Sequence, residues 1–270
     1  MGATDRYTPR ARKRFGQHFL HDPAVIDRIV RAVAPRPDDH VVEIGPGRGA
    51  LTQRLLDAGP ARLDAIEIDR DLAQILRERF ADRASFVLHE ADALEVDFTQ
   101  IAGGKRLRVV GNLPYNISTP LLFHLLDAAA VIEDMHLMLQ REVVQRLAAQ
   151  PGSGDYGRLT VMLAPRVRVE KLFDVGPGAF QPPPQVWSAV VRLIVRAQPE
   201  FEPSPSYATV VAAAFAHRRK TLRNALRGIL TPEQIAACGV DPAARPETLP
   251  PAAFNDLARM HDAARPTPQQ

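Results

Sequence analysis

The sequence predicts an α/β protein with a doubly wound, mainly parallel sheet, followed by a small C-terminal helical domain. Three observations predict it. Short apolar runs of strand length alternate with helix-periodic segments between residues 23 and 149, the pattern of repeated βα units. A glycine-rich turn, Gly45–Gly49, lies between the first such run and a helix. After residue 195 the composition changes, with Pro199, Pro203 and Pro205 marking a linker before purely helical patterns.

Each element has its own reason. Asp22 and Pro23 open an amphipathic helix carrying Val25, Ile26, Ile29, Val30 and Val33, with Asp as the cap and Pro in the first turn. His40–Ile44 reads as a short buried strand, and Leu51–Leu56 opens the helix after the glycine turn. Leu63–Ile68 is a second strand and Asp71–Phe80 its helix; Ser85–His89 is a third strand, ending at Glu90, Ala91 and Asp92. Leu107–Val110 is a fourth, ending at Asn112-Leu113-Pro114-Tyr115. Pro120–Ala130 reads as helix, Met135–Leu139 as strand, Arg141–Ala149 as helix, and Ser188–Val195 as a late strand closing the sheet. Two loops, Pro151–Tyr156 and the Pro-rich Gly176–Pro184, separate them. Short helices are expected within Tyr207–Leu230, Pro232–Cys238 and Pro251–His261, with a disordered Pro/Gln end after Arg265. The expected domain boundary is near residue 200, giving domains of residues 1–200 and 201–270.

At 270 residues the chain can hold one large domain and one small one. Apolar residues make up 46%, yet no run approaches the eighteen or so residues of a membrane span. The N-terminus is basic and lacks the apolar core of a secretory signal. Cys238 is alone, which excludes an internal disulfide and argues against a cysteine metal site. The eight His are scattered, each fitting a surface or core role better than a ligand's. A cytoplasmic monomer without a metal or a membrane contact is expected.

Net charge is only +3, but its placement is uneven. Residues 1–36 carry eight Lys or Arg, among them Arg12, Lys13 and Arg14, against three Asp. No acidic residue occurs from Pro203 to Pro232, where Arg218, Arg219, Lys220, Arg223 and Arg227 cluster. Two such blocks fit contacts with a polyanion, although either alone also fits a solvated surface.

The glycine turn Gly45-Pro46-Gly47-Arg48-Gly49 lets backbone approach a ligand at a helix N-terminus. Read with Ala50, it also fits the dinucleotide fingerprint of a nicotinamide enzyme. Glu67 follows 22 residues after Gly45, at the end of the second strand, where a carboxylate can accept both hydroxyls of a ribose; a helix cap or a solvated charge are its plainer readings. Asp92 ends the third strand, where it could hold the exocyclic amine of a bound adenine. Gly45, Glu67, Asp92 and Asn112 thus follow four successive strands and converge on the crevice at their carboxyl ends.

Asn112-Leu113-Pro114-Tyr115 suits the holding of an amino-substituted base. The exocyclic amine of adenine is a poor nucleophile because its lone pair is delocalised into the ring. An Asn carbonyl and a neighbouring backbone carbonyl can accept its two N–H bonds, while a stacked Tyr fixes the plane of the base. Pro114 disfavours a helical conformation at Leu113, so the Leu113 carbonyl can turn outward. The same four residues also fit an ordinary strand-ending turn. An adenosine cofactor beside a base-holding tetrapeptide points to S-adenosyl-L-methionine rather than a nicotinamide.

The chain closely resembles the small-subunit ribosomal RNA adenine N6,N6-dimethyltransferases of the KsgA/RsmA type. The matching segments are Arg14-Phe-Gly-Gln-His-Phe-Leu20, Val42-Glu-Ile-Gly-Pro-Gly47, Ile66-Glu-Ile-Asp69, Gly111-Asn-Leu-Pro-Tyr-Asn-Ile-Ser118, Met138-Leu-Gln-Arg-Glu-Val143, Tyr156-Gly-Arg-Leu159, Phe180-Gln-Pro-Pro-Pro-Gln-Val186, Ser188-Ala-Val-Val-Arg-Leu193 and His217-Arg-Arg-Lys-Thr-Leu-Arg-Asn224. The resemblance implies a Rossmann-like sheet of seven strands of the class I methyltransferase type. It implies dimethylation at N6 of two adjacent adenosines in a 3′-terminal hairpin of 16S rRNA, within the 30S subunit or its precursor, and a part in ribosome biogenesis. It also maps cofactor contacts onto His18 and Leu20, with Gln17 adjacent; the family often has Asn where this chain has His18. Phe180 is a candidate second wall for the target base, with a core position as its alternative. The basic residues become candidate RNA contacts. Two other functions fit the same residues: a macrolide-resistance methylase acting on 23S rRNA adenine, and a non-catalytic assembly factor that keeps a relic cofactor site.

Overall fold

The computed structural model describes residues 17–217 and 219–264. In chain order its strands are β1 (Phe19–Leu20), β2 (His40–Ile44), β3 (Arg62–Glu67), β4 (Phe86–Glu90), β5 (Leu107–Asn112), β6 (Ile132–Gln140), β7 (Val167–Val175), β8 (Phe180–Gln181) and β9 (Ser188–Val195). Seven of them form one sheet in the order β4-β3-β2-β5-β6-β9-β7. The first five in that order pair in parallel, and β9 joins β6 antiparallel. Every residue of β2 is buried, as parallel strands covered on both faces require.

The helices begin where the sequence places their signals. The Asp22 carboxylate accepts from the N–H groups of Ala24 and Val25 at 2.8 and 3.2 Å, Pro23 is the first helical residue, and Pro23–Val33 buries Ile26, Ile29 and Val33. Asp69 caps Arg70–Arg79 in the same way. After β2 the chain turns through Gly45 and Gly47, at φ 68° and 58°, and enters the helix Ala50–Asp57. At Gly47 a Cβ would come within 3.0 Å of the Phe19 ring, so both the left-handed backbone and the close approach require glycine there.

The chain divides into two compact units. One takes the described residues up to Val144 together with Glu170–Val195; the other takes Gln145–Val169 and the described residues from Arg196 onward. The chain passes between the units three times, and the last crossing, after Val195, is the one nearest the boundary expected near residue 200. The segment 145–169, which that single boundary assigns to the first domain, contributes Tyr156 and Val161 to the second unit's core. That core also contains Tyr207, Val210, Val211, Leu222, Leu226, Ile235, Phe254 and Leu257. Tyr156 and Tyr207 hydroxyls donate to the carbonyls of Leu249 and Val161, each at 2.8 Å. Among the described residues from 207 to 230, helix is confined to Tyr207–Ala214 and Leu222–Ala225.

Candidate active site

A cavity of about 260 Å³ opens where β2, β3, β4 and β5 end. His18, Leu20, Gly45, Glu67, Asp92, Asn112, Leu113, Pro114 and Tyr115 all line it. Gly45, Glu67, Asp92 and the segment from Asn112 to Tyr115 are expected together because each follows a strand, and the parallel register puts those strand ends side by side: Ile44 opposite Ile66 and Gly111, Glu67 opposite Glu90. His18 and Leu20 are expected there from the resemblance alone.

Glu67 stands at the end of β3, almost wholly buried. One carboxylate oxygen accepts from Gly47 N–H at 3.1 Å and the other from Asp69 N–H at 2.9 Å. The two oxygens keep lone-pair capacity beyond these backbone bonds, so the group is aimed and still able to accept hydroxyls. Burial pushes its pKa up to about 7 against those backbone bonds. Glu43, on β2, is also fully buried; burial, reinforced by the neighbouring Glu67 charge, pushes it up to about 7 as well. Its Oε2 has no hydrogen-bond partner among the described residues. Sequence reasoning gave Glu43 no role, although a carboxylate inside an otherwise apolar strand is a visible signal. Asp92 uses one oxygen to accept from Leu94 N–H at 2.9 Å, forming a turn after β4.

The strand β1 holds the cavity's other wall. It pairs antiparallel with β8, Leu20 opposite Phe180, and Phe19 lies against the Gly47 turn with the Arg48 guanidinium 4.5 Å from its ring centroid. Gln17 Nε2 donates to Asp69 at 3.2 Å. His18 Nδ1 lies 2.7 Å from the Pro182 carbonyl, and its ring stacks on Tyr115 with centroids 5.8 Å apart and an interplanar angle of 28°. Asn112 Nδ2 donates to the His18 carbonyl at 2.9 Å, which leaves Oδ1 as the amide's acceptor on a residue that lines the cavity. Leu113 N–H donates to Met138 O at 3.1 Å, fixing the turn to β6. The Tyr115 hydroxyl is anchored to Ser188 Oγ at 2.8 Å. Burial raises the phenol's pKa, opposed by the Ser188 bond, so the ring stays neutral. Ser188 was missed as a site residue because nothing in its local sequence announces a partner 73 positions away.

Phe180 does not line the cavity. Its backbone continues the β1–β8 ladder and its side chain is 3% exposed within the main core, beside Leu20, Phe173 and Ala179. The expected second wall is therefore a core residue in this structure, taken inward by the apolar cluster beneath β1. Arg219, Lys220 and Arg223 are exposed on the second unit. Arg12, Lys13, Arg14 and Arg218 lie outside the described residues.

The donor set fits an adenosine cofactor: a carboxylate aimed by two backbone N–H groups, a glycine turn that brings backbone to the cavity, and a second carboxylate at the next strand end. The seven-stranded order with one antiparallel strand, and a cavity at the carboxyl ends, define a class I methyltransferase.

The chain belongs to the family described as Ribosomal RNA adenine dimethylase, which matches residues 8–262. It is 56% identical over 261 residues to the Ribosomal RNA small subunit methyltransferase A of Pseudomonas syringae pv. syringae, covering 94% of this chain and 96% of that protein. To its counterpart in Pseudomonas aeruginosa it is 57% identical over 263 residues, covering 95% and 97%. Among solved structures, a dimethyladenosine transferase from Plasmodium falciparum superposes with a TM-score of 0.80 at 25% identity, covering 91% of this chain and 98% of that one. The 23S rRNA methyltransferase ErmE superposes with a TM-score of 0.70 at 30% identity, covering 90% and 99%. No helix among the described residues is long and apolar enough to cross a membrane.

Proposed function

We propose that this chain dimethylates N6 of two adjacent adenosines in a 3′-terminal hairpin of 16S rRNA, acting as a cytoplasmic monomer on the 30S subunit or its precursor. The observation that carries the site reading is Asn112: its Nδ2 is committed to the His18 carbonyl at 2.9 Å, so Oδ1 is the acceptor for an amine in the cavity. When bound, S-adenosyl-L-methionine supplies an electrophilic methyl group on sulfonium.

Glu67 would accept the two ribose hydroxyls, Asp92 the amine of the cofactor's adenine, and His18, Leu20 and Gly45 would enclose it. Asn112 Oδ1 and the Leu113 carbonyl would each accept one N6–H of the target adenine, and Tyr115 would stack its ring. Those two bonds would orient the nitrogen lone pair toward the cofactor, which would supply the methyl group, and N6 would release its proton to solvent once it became positively charged. No strong base is needed; positioning can supply several kcal/mol of the barrier reduction. A second transfer follows when the methylated amine turns to present its remaining proton. Arg219, Lys220 and Arg223 would neutralise rRNA phosphates, giving a salt-dependent affinity.

The relatives above half identity carry the name of a small-subunit methyltransferase, whereas the 23S enzyme is 30% identical; that contrast favours 16S over 23S rRNA. The test is transfer of labelled methyl from the donor to undermethylated 30S subunits and, separately, to 50S subunits. The expected result is two adjacent dimethyladenosines in 16S rRNA. Label confined to 23S rRNA would favour the resistance-type activity, and no label in either would favour a non-catalytic assembly factor.

A further inference from the structure

Trp187 is the chain's single tryptophan, and it is 48% exposed, with Val186 beside it 44% exposed. An indole left half in water forgoes much of the burial that makes large aromatics favourable, so its placement calls for a partner. It directly precedes Ser188, whose hydroxyl anchors Tyr115. Its carbonyl accepts from Arg141 N–H at 2.9 Å, tying it to the end of β6, the strand whose Met138 carbonyl holds Leu113. The exposed Arg141 guanidinium lies 5.6 Å from the indole centroid. The far edge of the indole runs past Gly176, where a Cβ would meet it at 3.6 Å. All of these residues belong to the compact unit that contains the cavity. An open aromatic surface with a cation on it, one residue from the anchor of the base-stacking Tyr, has the composition of a single-strand stacking platform.

We propose that Trp187 stacks the nucleobase adjoining the adenine held at Tyr115, with Arg141 on the phosphate that links them. The inference rests on the rRNA adenine reading above and identifies what holds the neighbouring base. Drawing one adenosine into the cavity breaks its stack on the next and bares a purine face. The indole replaces the lost stack, so the second target adenosine stays at the mouth of the site while the first is modified.

The sole tryptophan reports on itself. Adding the two-adenosine hairpin RNA to the full-length protein should quench Trp187 emission saturably, and an abasic nucleotide in place of the neighbouring adenosine should abolish the quenching. Trp187→Ala should raise KM for undermethylated 30S subunits by roughly tenfold, the loss falling on KM rather than kcat, with donor affinity unchanged, and Trp187→Phe should restore most of it. Wild-type KM in Trp187→Ala overturns the assignment, as does emission that stays unquenched while labelled hairpin is seen to bind. Either result leaves the methylation reading standing if the wild-type protein methylates 30S subunits; absence of that methylation overturns both.

Discussion

Toward the amino ends of the strands, Asp64 is wholly buried and yet fully partnered. His40 Nε2 and His89 Nε2 each lie 2.5 Å from one of its oxygens, and Arg62 donates to both at 2.6 and 2.8 Å. Burial works against ionisation there, but those bonds outweigh it and hold the carboxyl well below the usual range. Arg108 is likewise clamped between Asp39 at 2.8 Å and a two-bond contact to Asp134 at 2.9 Å. At the carboxyl ends the opposite holds: burial pushes both Glu43 and Glu67 up to about 7, with no cation among the causes that lower them. One end of the sheet matches its buried charges and is built to stay as it is. The other keeps acceptor capacity in reserve, as a ligand site must.

The largest effect that sharpens this contrast should come from Arg108→Ala. It removes the buried cation that Asp39 and Asp134 share, leaving Asp39 to the exposed Arg36 and Asp134 to Arg192, and losing one partner of a buried pair costs up to about 3–5 kcal/mol. Urea denaturation should show that loss, with donor affinity of the folded protein unchanged; a midpoint at the wild-type value would mean the amino-end network contributes nothing.

A smaller effect should appear at Glu43, with a sign that follows from its raised pKa. The folded state favours the protonated acid, so the group's contribution to stability is fully present below its unfolded value of 4.5 and is lost as pH rises through about 7. Glu43→Gln should therefore leave stability near wild type at pH 4.5 and raise it at pH 8. The gain is bounded by about 3 kcal/mol, the value of the shift at 1.36 kcal/mol per pH unit. Equal stabilisation at both pH values would contradict the buried, uncompensated carboxylate.

Much of the carboxyl end was legible in the sequence because its residues sit at strand ends flanked by turn formers. Gly45, Glu67, Asp92 and Asn112–Tyr115 each follow an apolar run, and the parallel arrangement does the rest. The amino-end network was hidden in those same runs: Arg108 within Leu107–Val110 and Asp64 within Leu63–Ile68 read as interruptions, and their partners lie on other strands. The strand Val167–Val175 was missed because Lys171 breaks its alternation of Val167, Val169, Phe173 and Val175. The helix Arg158–Leu163 belongs to the second unit through contacts with Tyr207 and its neighbours, which no local pattern reveals. Phe180 carried an aromatic signal next to a Pro-rich loop, and only packing decides whether such a ring faces a ligand or the core.

The central claim is that Asn112 Oδ1 holds the amine that receives the methyl group. Single-turnover methyl transfer to undermethylated 30S subunits by Asn112→Ala, at saturating donor and with the thermal midpoint checked, tests it most directly. The account predicts a fall of about 100-fold in rate, the scale on which misplacing a reacting group is felt, with a melting temperature close to wild type. Transfer at the wild-type rate by the folded variant would contradict it.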